Sequence, residues 1–205
     1  YNPGMTTRTS YILRFLVPFV LGCAPVASSQ HPGPASAPAV QAPAPVTPAL
    51  ASGPVAGVLN YTRVDATFAC GGAMSPEAIA AAAKAGFKSI VNLRAATEPG
   101  ANVEEFAQAA KAAGIIYIHI PFVSASPDPA TLDEFLKAVA TPANQPMLLH
   151  CAGGVRASMF WAVKRVMIDG WTVDKAMAEL PDLFGRVSPP LRAFMLDYLK
   201  QRGKI

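Results

Sequence analysis

Cys151 lies in the run His150-Cys151-Ala152-Gly153-Gly154-Val155-Arg156, after the short apolar segment Pro146 to His150 and before a helix-forming stretch. A loop joining a strand end to a helix N-terminus can curl its backbone N–H groups inward, and paired glycines permit the dihedral angles this needs. The first turn of the helix adds free N–H donors and a partial positive charge. The expected product is an oxyanion cradle that binds substrate through the backbone of Ala152, Gly153, Gly154 and Val155. Cys151 at its base would be favoured as the thiolate. Arg156 would offer a planar fork to two oxygens of the bound group, and His150 would orient the loop through a hydrogen bond. Nucleophile, cradle and clamp together suit attack on a tetrahedral phosphate or a sulfur oxyanion. A lone cysteine would read as a core residue at a tight turn; this combination after a strand reads as a site.

Other residues are weaker candidates. Arg94 and Glu98 follow another strand end, where they line the same mouth or form a surface pair, the pair being the plainer expectation. Arg186, in Gly185-Arg186-Val187-Ser188, could approach an anion but is expected to be a solvated loop charge. His119 lies in a strand and is expected to be a core histidine. The three histidines and three cysteines show no ligand spacing, so neither metal nor cofactor is expected.

The elements that position these residues alternate. Asn60 to Val64 and Thr67 to Cys70 predict a first hairpin or bent strand. Ser75-Pro76-Glu77 opens a helix that runs through the alanines to Gly86. Strands are predicted at Lys88 to Leu93, Ile115 to Ile120 and Pro146 to His150, the last in the centre of the sheet. Helices are predicted at 102–113, from Asp128-Pro129 to Ala140, and from Arg156 to Asp169. Two more follow, one from the Thr172 cap to Leu180 and one from Ser188-Pro189 to Arg202. The pattern is α/β, a mostly parallel central sheet with helices on both faces. Ligands in such sheets bind beyond the carboxyl ends of the strands, where Cys151 stands.

The 205 residues divide into three parts. Residues 1–23 read as an export signal, with residues 1–4 extraneous. Arg8 and Arg14 precede an apolar stretch, Phe15 to Leu21, that is too short to span a bilayer and ends in Val20-Leu21-Gly22-Cys23. That ending resembles a bacterial lipoprotein signal, which would make Cys23 a lipid anchor and the protein periplasmic or membrane-anchored; ordinary secretory cleavage near Ala27 is the alternative. Residues 24–56 carry no Asp, Glu, Lys or Arg and are rich in Pro and Ala, so they read as a disordered spacer. Residues 57–205 form the domain. It carries 15 of the 17 basic residues against 13 acidic ones, with no basic run or interleaved aromatic patch, which argues against nucleic acid as a partner.

His-Cys-x-x-Gly-x-Arg resembles the signature of the cysteine-dependent phosphatases, the protein-tyrosine and dual-specificity group, whose usual loop has five residues between cysteine and arginine. Here there are four, Ala152 to Val155. That is the spacing of the bacterial beta-lactamase-hydrolase-like phosphatase domain family, which pairs a cysteine-phosphatase-like fold with the shorter loop. The stretch from Phe68 to Arg94, the acid Glu98 and the run Tyr117 to Pro121 also resemble that family, although around Cys70 its pattern is more often Ser-Gly-Gln. The resemblance implies hydrolysis of a phosphomonoester through a phosphocysteine, on a phosphorylated substrate of unspecified type. It also implies a general acid on a loop upstream of the cysteine. Asp128 is the best placed, although Asp before Pro at a helix start is equally a helix cap; Asp133 lies further into the helix. Phosphatases of this type carry a hydroxyl directly after the arginine. Here Ala157 follows, and Ser158 is one position later. Two other readings stay open. A tighter loop is also the length used by rhodanese-type sulfurtransferases, in which Cys151 would carry a persulfide from a sulfur donor, and the cradle could bind oxyanions without catalysis.

In an exported protein, Cys70, at the end of its strand and before two glycines, is expected to form a reversible disulfide with Cys151. Titrating thiols in protein isolated without reductant checks this: loss of both domain thiols is the expected result, and two free thiols would refute it.

Overall fold

The computed structural model describes residues 53–205. The signal segment and the spacer up to residue 52 lie outside the described residues. The predicted alternation is present, in the order β1 (Thr62–Arg63), β2 (Phe68–Gly71), α1 (Pro76–Lys84), β3 (Ser89–Asn92), α2 (Val103–Ala113), β4 (Ile116–His119), α3 (Pro129–Ala140), β5 (Met147–His150), α4 (Val155–Met167), α5 (Val173–Ala178), α6 (Pro181–Phe184) and α7 (Pro189–Gln201). The sheet runs β1-β2-β5-β3-β4, with β1 antiparallel to β2 and every other pair parallel. β5 is central, as its unbroken apolar run predicts for a strand covered on both faces. The short helix α6 has no signal in the sequence reading, which treats its neighbourhood as a turn.

Side chains alternate between two layers. Ala69, Ile90 and Leu148 pack with α1 and α2 through Ala78, Ile79, Ala82, Phe106 and Ala110. Phe68, Cys70, Val91, Leu149 and Cys151 face the other layer, with α3 to α7. Val55 is buried in the first layer at 4% exposure, so the domain begins before residue 57, inside the stretch assigned to the spacer.

α4 is buried around most of its circumference, because it lies between the sheet and the outer helices. Its Trp161 stacks on Phe68 of β2 with ring centroids 3.9 Å apart, and its indole N–H donates to Glu179 Oε2 at 2.7 Å. Trp161→Ala is therefore expected to lower the unfolding free energy by about 3–5 kcal/mol in chemical denaturation. Trp161→Phe, which keeps a stacking ring, should cost markedly less; equal losses would show that the stack is not the source.

Candidate active site

The end of β5 is pinned from both sides. Leu93 N–H donates to His150 O at 2.9 Å, and Cys151 N–H donates to Gly71 O at 3.2 Å. Alternation sends the Cys151 side chain, 1% exposed, toward α4, and sends His150 to the opposite face, where its ring lies 6.1 Å from that of Phe106. The chain then turns through Gly154, whose φ of +91° belongs to the left-handed region that glycine adopts without cost, and α4 begins. Gly154 N–H points back at Cys151 Sγ, 3.1 Å away.

The cradle has a floor that the loop motif does not reveal. Ala73 N–H donates to Ala152 O at 2.8 Å, and Asn60 Nδ2 donates to Gly153 O at 3.1 Å. In a trans peptide the C=O and N–H point opposite ways. Holding these two carbonyls therefore turns the N–H groups of Gly153 and Gly154 away from Ala73 and Asn60, and that of Gly154 meets the sulfur. Gly72 makes the floor possible: a β-carbon there would stand 3.0 Å from Ala152 O and 3.1 Å from Leu59 O. Sequence reasoning missed Asn60 and Gly72 because neither belongs to the cysteine motif. A glycine directly after a strand was the available signal.

Arg156, in the first turn of α4, is held by three segments. Its Nη1 donates to Leu93 O (3.2 Å), Phe122 O (3.0 Å) and Glu98 Oε1 (2.6 Å), and its Nη2 donates to Glu98 Oε2 (2.7 Å). Its charge lies close enough to Cys151 for the two groups to interact. Glu98 also accepts from Ala95 N–H at 2.9 Å and from Arg94 Nε at 3.4 Å. The Arg156 hydrogen bonds, foremost, hold the Glu98 carboxyl down at about 2. The expected pair of Arg94 and Glu98 is present at 3.4 Å, but it is not at the surface. Arg94 is buried and shapes the 95–101 loop through the carbonyls of Pro99 and Gly100, while Glu98's main partner is Arg156.

Other expectations change as well. His150 does not orient the loop by a well-formed hydrogen bond: neither ring nitrogen has one. Burial, opposed by the nearby backbone of Cys151 and Gly72, pulls its pKa down to about 4, so it is a neutral packing residue. Ser158 does not offer its hydroxyl to the sulfur, because Oγ donates to Val155 O at 2.8 Å within α4. Asp128 is exposed and caps α3, accepting from Ala130 N–H at 2.9 Å. Asp133 accepts from Tyr198 Oη in α7 and from Arg202 just after it. His119 Nε2 lies 2.7 Å from Arg94 O, a structural bond. Arg186, expected to be a solvated loop charge that could approach an anion, is exposed and stands beside the loop: its Nη2 is 3.8 Å from where a β-carbon of Gly153 would be.

Cys70 and Cys151 are both free and both buried on the same face. Cys70 is paired with Leu149, which makes Cys151 its diagonal neighbour. The expected disulfide between them is not formed in this structure. Burial, with the nearby Cys151 adding to it, pushes the Cys70 thiol well up. Among the described residues, no three His, Cys, Asp or Glu side chains are gathered as a metal ion would require.

The family model for the phosphatase-like domain of beta-lactamase hydrolase-like protein matches residues 60–168. A beta-lactamase hydrolase-like protein of Xylella fastidiosa (strain Temecula1) is 38% identical over 92 residues, which make up 43% of this chain and 20% of that protein. The chain thus matches about a fifth of the length of its curated relatives. Among solved structures, a phosphatase of the DUF442 group from Shewanella putrefaciens CN-32 superposes with a TM-score of 0.61 at 18% identity, covering 71% of this chain and 94% of that one. The core catalytic domain of the PP-IP phosphatase SIW14 from S. cerevisiae, in complex with citrate, superposes with a TM-score of 0.57 at 19% identity, covering 74% and 97%. These likenesses establish the cysteine-phosphatase-like fold.

The depressed Glu98 carboxyl makes a pH prediction. A carboxylate whose folded pKa is near 2 adds stability that is fully present above its unfolded value, and this is lost as pH falls toward 2. In denaturation series between pH 5 and pH 2, the wild type should lose stability more steeply than Glu98→Gln. At pH 7 the variant should already be weaker by about 1–3 kcal/mol, because Arg156 has lost its charged partner. Because His150 destabilises both proteins on acidification, the reading is the difference between the two curves; parallel curves would remove Glu98 from this role.

Proposed function

We propose that this chain, which belongs to the phosphatase-like domain family of beta-lactamase hydrolase-like proteins, is a cysteine-dependent phosphatase acting through Cys151. The chain carries a phosphatase-like domain on a cysteine-phosphatase-like fold; the nucleophile and the covalent intermediate are the proposal. The observation that carries it is the Gly154 N–H aimed at Cys151 Sγ from 3.1 Å, at the base of a loop that opens into α4. Donors so arranged favour a thiolate and, once a phosphoryl group is there, its oxygens.

In the proposed reaction the Cys151 thiolate attacks phosphorus and a sulfur–phosphorus bond forms as the phosphorus–oxygen bond to the leaving group breaks. The leaving oxygen takes a proton. Water then attacks the phosphocysteine, the sulfur–phosphorus bond breaks, and inorganic phosphate leaves with the thiolate restored. Arg156 binds two non-bridging oxygens with Nε–H and the Nη2 hydrogen that Glu98 leaves free. Asp128 remains the proposed proton donor. It lies on the segment that follows Phe122, whose carbonyl anchors Arg156, and its side chain is exposed.

Cys151→Ser in the reduced full chain is expected to lower aryl phosphate hydrolysis at least about a thousandfold. Asp128→Asn isolates the acid, because asparagine caps a helix as well as aspartate does: a loss of rate without a loss of stability supports proton donation. Thiosulfate and cyanide form the control pair of substrates. Thiocyanate formation without phosphate release would replace the phosphatase reading with sulfur transfer, and anion binding without either turnover would leave a binding module.

A further inference from the structure

Arg186 is delivered to the cysteine loop by a set of close contacts. Leu183, buried in α6, seats that helix on the start of α4: its methyl carbons lie 3.2 and 3.4 Å from where a β-carbon of Gly154 would be. The chain then reverses at Gly185, whose N–H donates to Pro181 O at 2.7 Å and where a β-carbon would stand 2.8 Å from that oxygen, so that only glycine makes the turn. Arg186 follows, its own N–H donating to Leu183 O at 3.2 Å, and the next residue, Val187, is buried again. An exposed arginine fixed between two buried anchors is positioned, not free to roam. Its guanidinium faces Gly153, the loop position without a side chain, and among the described residues it has no hydrogen bond or ion pair.

The two arginines at the loop differ in depth. Arg156 is 12% exposed at its side chain and is already committed to Glu98 and two carbonyls. Arg186 is exposed and stands beside Gly153, at the middle of the loop. A phosphoryl group on the sulfur would fall to Arg156, leaving Arg186 for a group bound beside Gly153.

We propose that Arg186 is a specificity-determining residue that binds a second anionic group beside the reacting phosphoryl, so that the preferred substrates are phosphate esters or anhydrides bearing an adjacent phosphate. This rests on the phosphatase reading of the same loop and adds the substrate class. A guanidinium with no internal acid partner gains most from a dianion placed next to it, and a second phosphate supplies that where a neutral leaving group does not.

Calorimetric titration of the full chain carrying Cys151→Ser, at fixed ionic strength, with inorganic phosphate and with pyrophosphate tests this without turnover. Pyrophosphate should bind more tightly than phosphate. Adding Arg186→Ala should weaken pyrophosphate about tenfold and phosphate less than about threefold, the size of one charge-assisted contact. Arg186→Lys should recover part of the loss. Equal weakening of both anions would assign Arg186 to the reacting phosphoryl and overturn the proposal. No weakening, or binding of neither anion, overturns it too. Aryl phosphate hydrolysis by the wild type is measured separately, so its absence would sink the phosphatase reading while the anion selectivity still decides the role of Arg186.

Discussion

Arg156 leaves the first turn of α4 and makes four hydrogen bonds to acceptors on three segments: Leu93 after β3, Glu98 in the loop that follows, and Phe122 after β4. A guanidinium drawn this far from water needs acceptors for its donors, and removing any one of them leaves charge or N–H uncompensated. The requirement works in reverse as well. Because these acceptors sit at the carboxyl ends of β3 and β4, satisfying Arg156 fixes where those strand ends stand relative to the cysteine loop.

α4 is held by an arginine near each end. Toward its C-terminus, Arg165 lies between the rings of Trp161 and Trp171, each 4.3 Å from its guanidinium carbon, and pairs with Glu179, Asp169 and Asp65 at 2.5, 2.9 and 3.3 Å. Between these two anchors the helix buries side chains against the sheet and the outer helices at once. The N–H groups at its start are consequently fixed in place relative to Cys151, which is the condition for an electrostatic site that does not reorganise when charge arrives. Glu98 contributes through the same logic: held ionised by Arg156, it orients the clamp and takes no part as an acid.

The alternation of strand and helix, the central place of β5 and the course of the 150–156 loop from strand to helix were legible in the residues. Each depends on local signals: apolar runs of strand length, Ser-Pro and Asp-Pro helix starts, and glycines at the stops. The tiny helix α6 was not legible, because four residues after a proline carry no periodicity. The hydrogen bond expected from His150 is absent, and the Ser158 hydroxyl is turned from the sulfur, for separate reasons. A one-residue step along a strand reverses the face a side chain serves, and a helical hydroxyl has its own backbone carbonyl within reach.

By itself, then, the sequence determined that Cys151, the glycine-lined turn and Arg156 share one loop, because covalent spacing along that loop is enough to bring them together. Only the tertiary structure decided what surrounds them. Asn60, Gly72, Glu98 and Arg186 come from segments far apart in the chain, and no local pattern encodes that they converge on Gly153 and Arg156. Their convergence follows from the order in which β2, β5 and β3 lie side by side and from α6 docking on the start of α4. Those are long-range packing choices, set by the burial of whole faces rather than by any one residue's neighbours in sequence.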